Sequence, residues 1–152
     1  MAREEKVWAY AQDAGYTPLE GQCIIVKPAP GDLSDKVLQF FNLSDLCVLQ
    51  MCESCLILLP FDPTWATLRD ETTLVIPYED IESVNETSDL LNVVIEIKTK
   101  TDVIRLTTQQ KELSDWRMSG AYATQIIGGI KNWHKENVDA TLEALSKLGQ
   151  SL

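Results

Sequence analysis

Residues 47–61 read CVLQMCESCLILLPF. Two apolar runs flank the polar pair Glu53-Ser54, the pattern of two buried strands joined at a turn. The same stretch carries three of the chain's four cysteines at C-x4-C-x2-C, with Cys23 upstream. That is the local ligand spacing of a plant-type [2Fe–2S] site. The two readings exclude each other. In a strand, side chains alternate faces, so Cys47 points away from the face that carries Cys52. At about 3.3 Å per residue it also lies roughly 16 Å away along the strand. Cluster ligands must converge on one site, and these do not. Cys52 and Cys55 instead face each other across the hairpin, with Cα atoms expected about 5.5 Å apart, inside disulfide reach. A thioredoxin-like pair would sit at a helix N-terminus, and no helix begins here. The cysteines therefore read first as small hydrophobes. Cys52 and Cys55 remain a candidate redox pair. Glu-Ser is a poor tight-turn dipeptide, which leaves room for a longer loop.

Working outward, residues 1–15, MAREEKVWAYAQDAG, predict a short helix with Val7, Trp8, Tyr10, Ala11 and Ala14 on its apolar side and Gly15 as its stop. Cys23 to Lys27 predicts a brief strand. Pro28, Pro30 and Gly31 then break it. DKVLQFFNL (35–43) reads as a strand. FDPTWATLRDE (61–71) reads as a loop, and its Trp65 is a candidate ligand-loop residue or a plug for a barrel mouth. TTLVIPYEDIESVNE (72–86) is β-branched and aromatic, with Pro77 marking an edge or bend. NVVIEIKTK and DVIRLTT form a hairpin turning at Thr101-Asp102. Val93, Ile95 and Ile97 face the core, while Val94, Glu96 and Lys98 face water.

At Thr107 the period changes. Thr107-x-x-Gln110 has the outline of a capping box. Leu113, Trp116, Gly120, Ala123, Ile127 and Ile130 then recur at steps of three and four, which predicts a long helix. Tyr122, Ile126, Gly129 and Trp133 form a second stripe. The resulting apolar arc is wider than a helix on one sheet requires. A last amphipathic piece carries Val138, Leu142, Leu145 and Leu148. His134, the only histidine, reads as a surface or interface residue.

The chain has 152 residues, 45% of them hydrophobic and 24% charged, with formal net charge −10. This is the make-up of one soluble domain, able to bury roughly two thirds of its unfolded surface. The charge repels nucleic acid and anionic lipid, both of which require clustered Lys and Arg. Met1–Tyr10 has no apolar core of a signal peptide, and no run reaches the ~20 residues of a membrane helix, so a cytoplasmic location is expected. No nucleophile elbow, P-loop, H-E-x-x-H or EF-hand loop occurs, and the acidic residues are scattered. No cofactor, metal or catalytic set is expected.

The order of elements, short antiparallel strands closed by a helix, resembles the pleckstrin-homology-like superfold, especially small bacterial PH-like domains. LCVLQMCESCLILLPF, the Pro77-Tyr78-x-x-Ile81 strand, LLNVVIEIKTKTDVIRLTT and the closing helix carry the likeness across residues 35–134. The resemblance implies an α+β, mainly β fold: a half-open antiparallel barrel of about seven strands, capped by a long C-terminal helix and preceded by a short N-terminal one. Residues 1–34 would be an appendage and 135–152 a C-terminal amphipathic extension. The loop between the first two strands, near Asp45, lacks the basic residues of phosphoinositide-binding members. The implied function is a non-catalytic protein-interaction or assembly module, self-associating or binding another protein. Tyr122, Ile126, Trp133, Leu142 and Leu145 are its candidate interface. The alternatives are a lipid or membrane-surface binder and a cysteine-based redox or metal protein.

Overall fold

The computed structural model describes residues 4–28, 47–62, 67–68, 74–89, 92–109, 124–125 and 131–150. The elements run α1 (Glu4–Asp13), β1 (Pro18–Pro28), β2 (Cys47–Cys52), β3 (Cys55–Asp62), β4 (Thr67–Leu68), β5 (Leu74–Pro77), a short 3-10 helix (Tyr78–Asp80), β6 (Ile81–Asp89), β7 (Asn92–Thr99), β8 (Val103–Gln109), β9 (Thr124–Gln125), β10 (Lys131–Asn132) and α2 (Trp133–Gln150). The protein is mainly β, with an antiparallel sheet, a C-terminal helix and a short N-terminal one. Among the described residues the sheet has eight strands in the order β4-β3-β2-β1-β8-β7-β6, with β5 also paired to β3. Among the described residues no ladder joins β5 to β6, so the sheet is not closed.

The β2–β3 hairpin has the predicted parity. Met51 pairs with Leu56 and Val48 with Leu59. Cys52 and Cys55 therefore close a tight turn over Glu53-Ser54, and the longer loop is not used. Cys47, Leu49, Met51, Leu56 and Leu58 enter one core with Ile95, Ile97, Ile104, Val138 and Leu145. Val48, Cys52, Cys55, Ile57 and Leu59 enter a second core with Val7, Ala11, Cys23, Ile25 and Trp133. The hairpin is thus a wall between two apolar compartments, which explains why it reads as continuous apolar runs.

Helix α1 ends at a left-handed Gly15, whose φ is +92°. The Gly15 N–H donates to the Gln12 carbonyl at 3.0 Å and the Tyr16 N–H to the Ala11 carbonyl at 2.9 Å. This is a Schellman ending, and it fixes where Tyr16 leaves the helix. A Cβ at Gly15 would meet nothing within 4 Å, so substitution is penalised by backbone strain alone. Gly15→Ala is expected to cost about 1–2 kcal/mol in urea unfolding, with Gly15→Asn losing less.

Strand β1 joins both halves of the sheet. It pairs with β2 along Cys23–Val26 but with β8 only at Lys27 and Pro28. Over Cys23–Ile25 its second edge is satisfied by side chains. The Ile25 N–H donates to Nδ1 of His134 at 2.9 Å, and the Thr108 hydroxyl donates to the Ile25 carbonyl at 2.8 Å. Asn137 Nδ2 donates to the Cys23 carbonyl at 3.2 Å and to Glu4 Oε1 at 2.8 Å. Glu4 Oε1 also accepts from the Gly21 N–H at 3.3 Å, where β1 bulges. His134, Asn137 and Thr141 lie on one face of α2, and all three are buried. Backbone groups hidden from water require such partners.

Three expectations are corrected. Residues 1–34 are not an appendage, because β1 lies between β2 and β8. Residues 135–152 are not an extension, because Val138 and Leu145 of α2 complete the first core. The long helix does not start at Thr107, which lies within β8. Thr124 and Gln125 pair instead with Asn132 and Lys131, and the helix begins at Trp133. The steps of three and four over 113–130 therefore do not specify one continuous helix. The sequence 35–43 and the stretch 110–123 lie outside the described residues.

Candidate functional site

The candidate interface residues divide. Trp133 and Leu145 are each 0% exposed, one in each core, so neither is available to a partner. Leu142 is half-buried and packs on the first core. Tyr122, Ile126 and Trp65 lie outside the described residues. His134, expected at the surface, is fully buried because it completes the edge of β1.

All four cysteines are free and buried. Burial, then the Cys55 thiol, pushes the Cys52 pKa up to about 12. Burial, then the Glu4 carboxylate and Cys52, holds Cys23 well above its ordinary value. Burial also raises Cys55, partly offset by its hydrogen bonds with Cys52 and Ser54. Cys52 and Cys55 face each other as the hairpin requires, but the reactive thiolate is suppressed. Among the described residues, no group of three or more His, Cys, Asp or Glu could hold a metal ion.

The thiol shifts set an alkaline limit. An unfolded thiol ionises near 9.0, while folded Cys52 holds its proton to about 12. Its contribution is fully present below the unfolded value and is lost as pH rises through the folded one. The slope is about 1.4 kcal/mol per pH unit for each such thiol. Urea unfolding on either side of pH 9.0 should show this loss, and Cys52→Ala should flatten it. In native protein at neutral pH, no thiol is expected to react promptly with Ellman's reagent.

Two basic side chains of the β7–β8 hairpin, Arg105 and Lys98, pair with Glu96. Arg105 Nε lies 2.7 Å from Glu96 Oε2 and Lys98 Nζ lies 3.8 Å from Glu96 Oε1. No helix among the described residues is long and apolar enough to cross a membrane.

An open cleft of ≈ 380 Å³ lies beside the β2–β3 turn, lined by Tyr16, Ser54, Cys55, Pro77, Tyr78 and Glu79. Three separate segments build it, and each is fixed by backbone bonds. Tyr16 is placed by the Schellman ending of α1. The turn is tied to the chain after α1 by the Glu53 N–H, which donates to the Thr17 carbonyl at 3.0 Å. The Tyr78 N–H donates to the Ser54 carbonyl at 3.1 Å. The Tyr78 hydroxyl donates to the Cys52 carbonyl, which pins the ring over the hairpin. Burial, then the neighbouring Cys52 and Cys55, raises the Tyr78 pKa, so the phenol is neutral. Pro77 also lines a second, smaller cleft of ≈ 180 Å³, with Asp80, Lys100 and Asp102 among its walls.

No protein-family model matches the chain, and no curated protein matches its sequence. Sequence reasoning missed the larger cleft because its walls come from positions 16, 54–55 and 77–79. The only local signals were Gly15, which fixes Tyr16, and the Pro77-Tyr78-Glu79 corner.

Proposed function

We propose that this chain is a non-catalytic PH-like interaction module that holds a segment of another protein at the cleft beside the β2–β3 turn. The PH-like reading is supported by the open antiparallel sheet and by the packing of a C-terminal helix on it. The observation that carries the function is the cleft itself. It is assembled from three distant segments held rigid by backbone hydrogen bonds, as a preorganised binding site requires. The histidine and the thiols, the side chains best suited to covalent or acid–base work, are all buried. The apolar face of α2 is likewise committed to the protein's own core, which favours a different protein over a second copy as partner.

A photo-crosslinking residue placed at exposed Glu53, on the turn, tests this in the native host. The control position is exposed Ala140 on α2. A discrete protein adduct is expected from position 53 and not from position 140. Equal adducts at both, or none at 53, would overturn the proposal.

A further inference from the structure

We infer that the Tyr16–Tyr78–Glu79 cleft receives a cationic side chain, lysine or arginine, from an extended segment of the partner. This inference deepens the interaction reading and rests on it. The cleft walls name the chemistry. Two tyrosines line the cleft, residues whose ring faces carry negative partial charge, and Glu79 adds an exposed carboxylate. The Tyr78 hydroxyl is engaged with the Cys52 carbonyl, so this residue offers its ring and not its donor. Glu79 has no ion-pair partner among the described residues. Among the described residues no Lys, Arg or His lines the cleft, so an anionic group would meet the Glu79 carboxylate and two tyrosine rings with no cation among these residues to neutralise it.

Size and field agree. The volume of ≈ 380 Å³ falls in the range of roughly 300–1,000 Å³ typical of ligand sites, and ≈ 180 Å³ falls below it. The whole chain carries net charge −10, which draws cations towards any such cleft. The occupant is a peptide side chain, and the ground for preferring it to a small ammonium ion is Pro77. This residue is a wall of both clefts, so the two lie side by side and an extended chain crossing Pro77 would meet the smaller next. Among the described residues there, Asp80 and Asp102 outnumber Lys100, which suits a second basic residue.

The test is a titration of the full chain with a blocked alanine-rich peptide carrying one lysine and one arginine. The control peptide has norleucine and citrulline at those positions. Backbone amide shifts of Ser54, Tyr78 and Glu79 report the site. The basic peptide is expected to shift them saturably at up to millimolar concentration, and the neutral peptide at least about fivefold more weakly. Glu79→Gln and Tyr16→Leu should each weaken binding severalfold, and added salt should weaken it further. Glu79 is exposed, so its variant keeps the parent's thermal midpoint. Equal binding of both peptides, or full binding by Glu79→Gln, would overturn the cationic assignment while position-53 crosslinks still stood. Absence of both peptide shifts and crosslinks would remove the interaction reading as well.

Discussion

Replacing Trp133 with alanine should lower the stability of the protein by about 3–5 kcal/mol, the usual loss when a fully buried aromatic is truncated. Trp133 opens α2 and fills the second core beneath α1, against Val7, Ala11 and the thiol-bearing face of β1–β3. Domain stabilities are roughly 5–15 kcal/mol, so this change removes a large share. Urea unfolding followed by far-ultraviolet circular dichroism measures it. The midpoint should drop while the slope holds, and Trp133→Phe should recover much of the loss. The cavity also loosens the cover over Cys23, Cys52 and Cys55, so these thiols should begin to react with Ellman's reagent. A loss below about 1 kcal/mol, in the range of ordinary surface changes, would return Trp133 to the surface and revive its interface reading.

The second large effect belongs to His134. Its Nδ1 accepts the Ile25 N–H at 2.9 Å inside the protein. Alanine would leave that donor buried and unpaired, at about 1–3 kcal/mol, and would remove packing as well, so a total of about 2–4 kcal/mol is expected. Asparagine should restore much of it, because its side-chain oxygen can stand near the position of Nδ1. Hydrogen exchange at the Ile25 amide is the specific readout. It should quicken more in His134→Ala than in His134→Asn. Equal quickening in both variants would mean that the residue matters only for its volume.

These residues also show what the sequence could carry. The strand period of two is strict, so the separation of Cys47 from Cys52 was legible, as was the inward row Val93, Ile95 and Ile97 of β7. Gly15 was legible because few other residues adopt its backbone conformation. The helical reading failed at 107–109, 124–125 and 131–132, which are strand, because apolar positions a few residues apart also occur by coincidence. Thr107, Thr108 and the isoleucines at 126, 127 and 130 are β-branched, and the pair Gly128-Gly129 disfavours a helix. Weight given to those features would have opposed the helix. His134 reads as a surface or interface residue because charged residues follow it, and Asn137 lies in the same polar stretch. Only the incomplete pairing of β1 with β8 explains their burial, and no local pattern contains that fact. The cleft was illegible for the same reason, since its walls meet only in three dimensions.

The side chains that complete β1 have one more consequence. Ile25 finds its hydrogen-bond acceptor 109 residues later, and Glu4 meets Asn137 across 133 residues. During synthesis, the central strand emerges early and must wait for the segment that satisfies it. At about 5–20 residues per second, this leaves several seconds in which the nascent strand has an unguarded edge, the arrangement most prone to wrong pairing with another chain. Folding of this protein is therefore a whole-chain event. A nascent chain stalled before α2 clears the ribosome should be the species that chaperones hold and proteases find first.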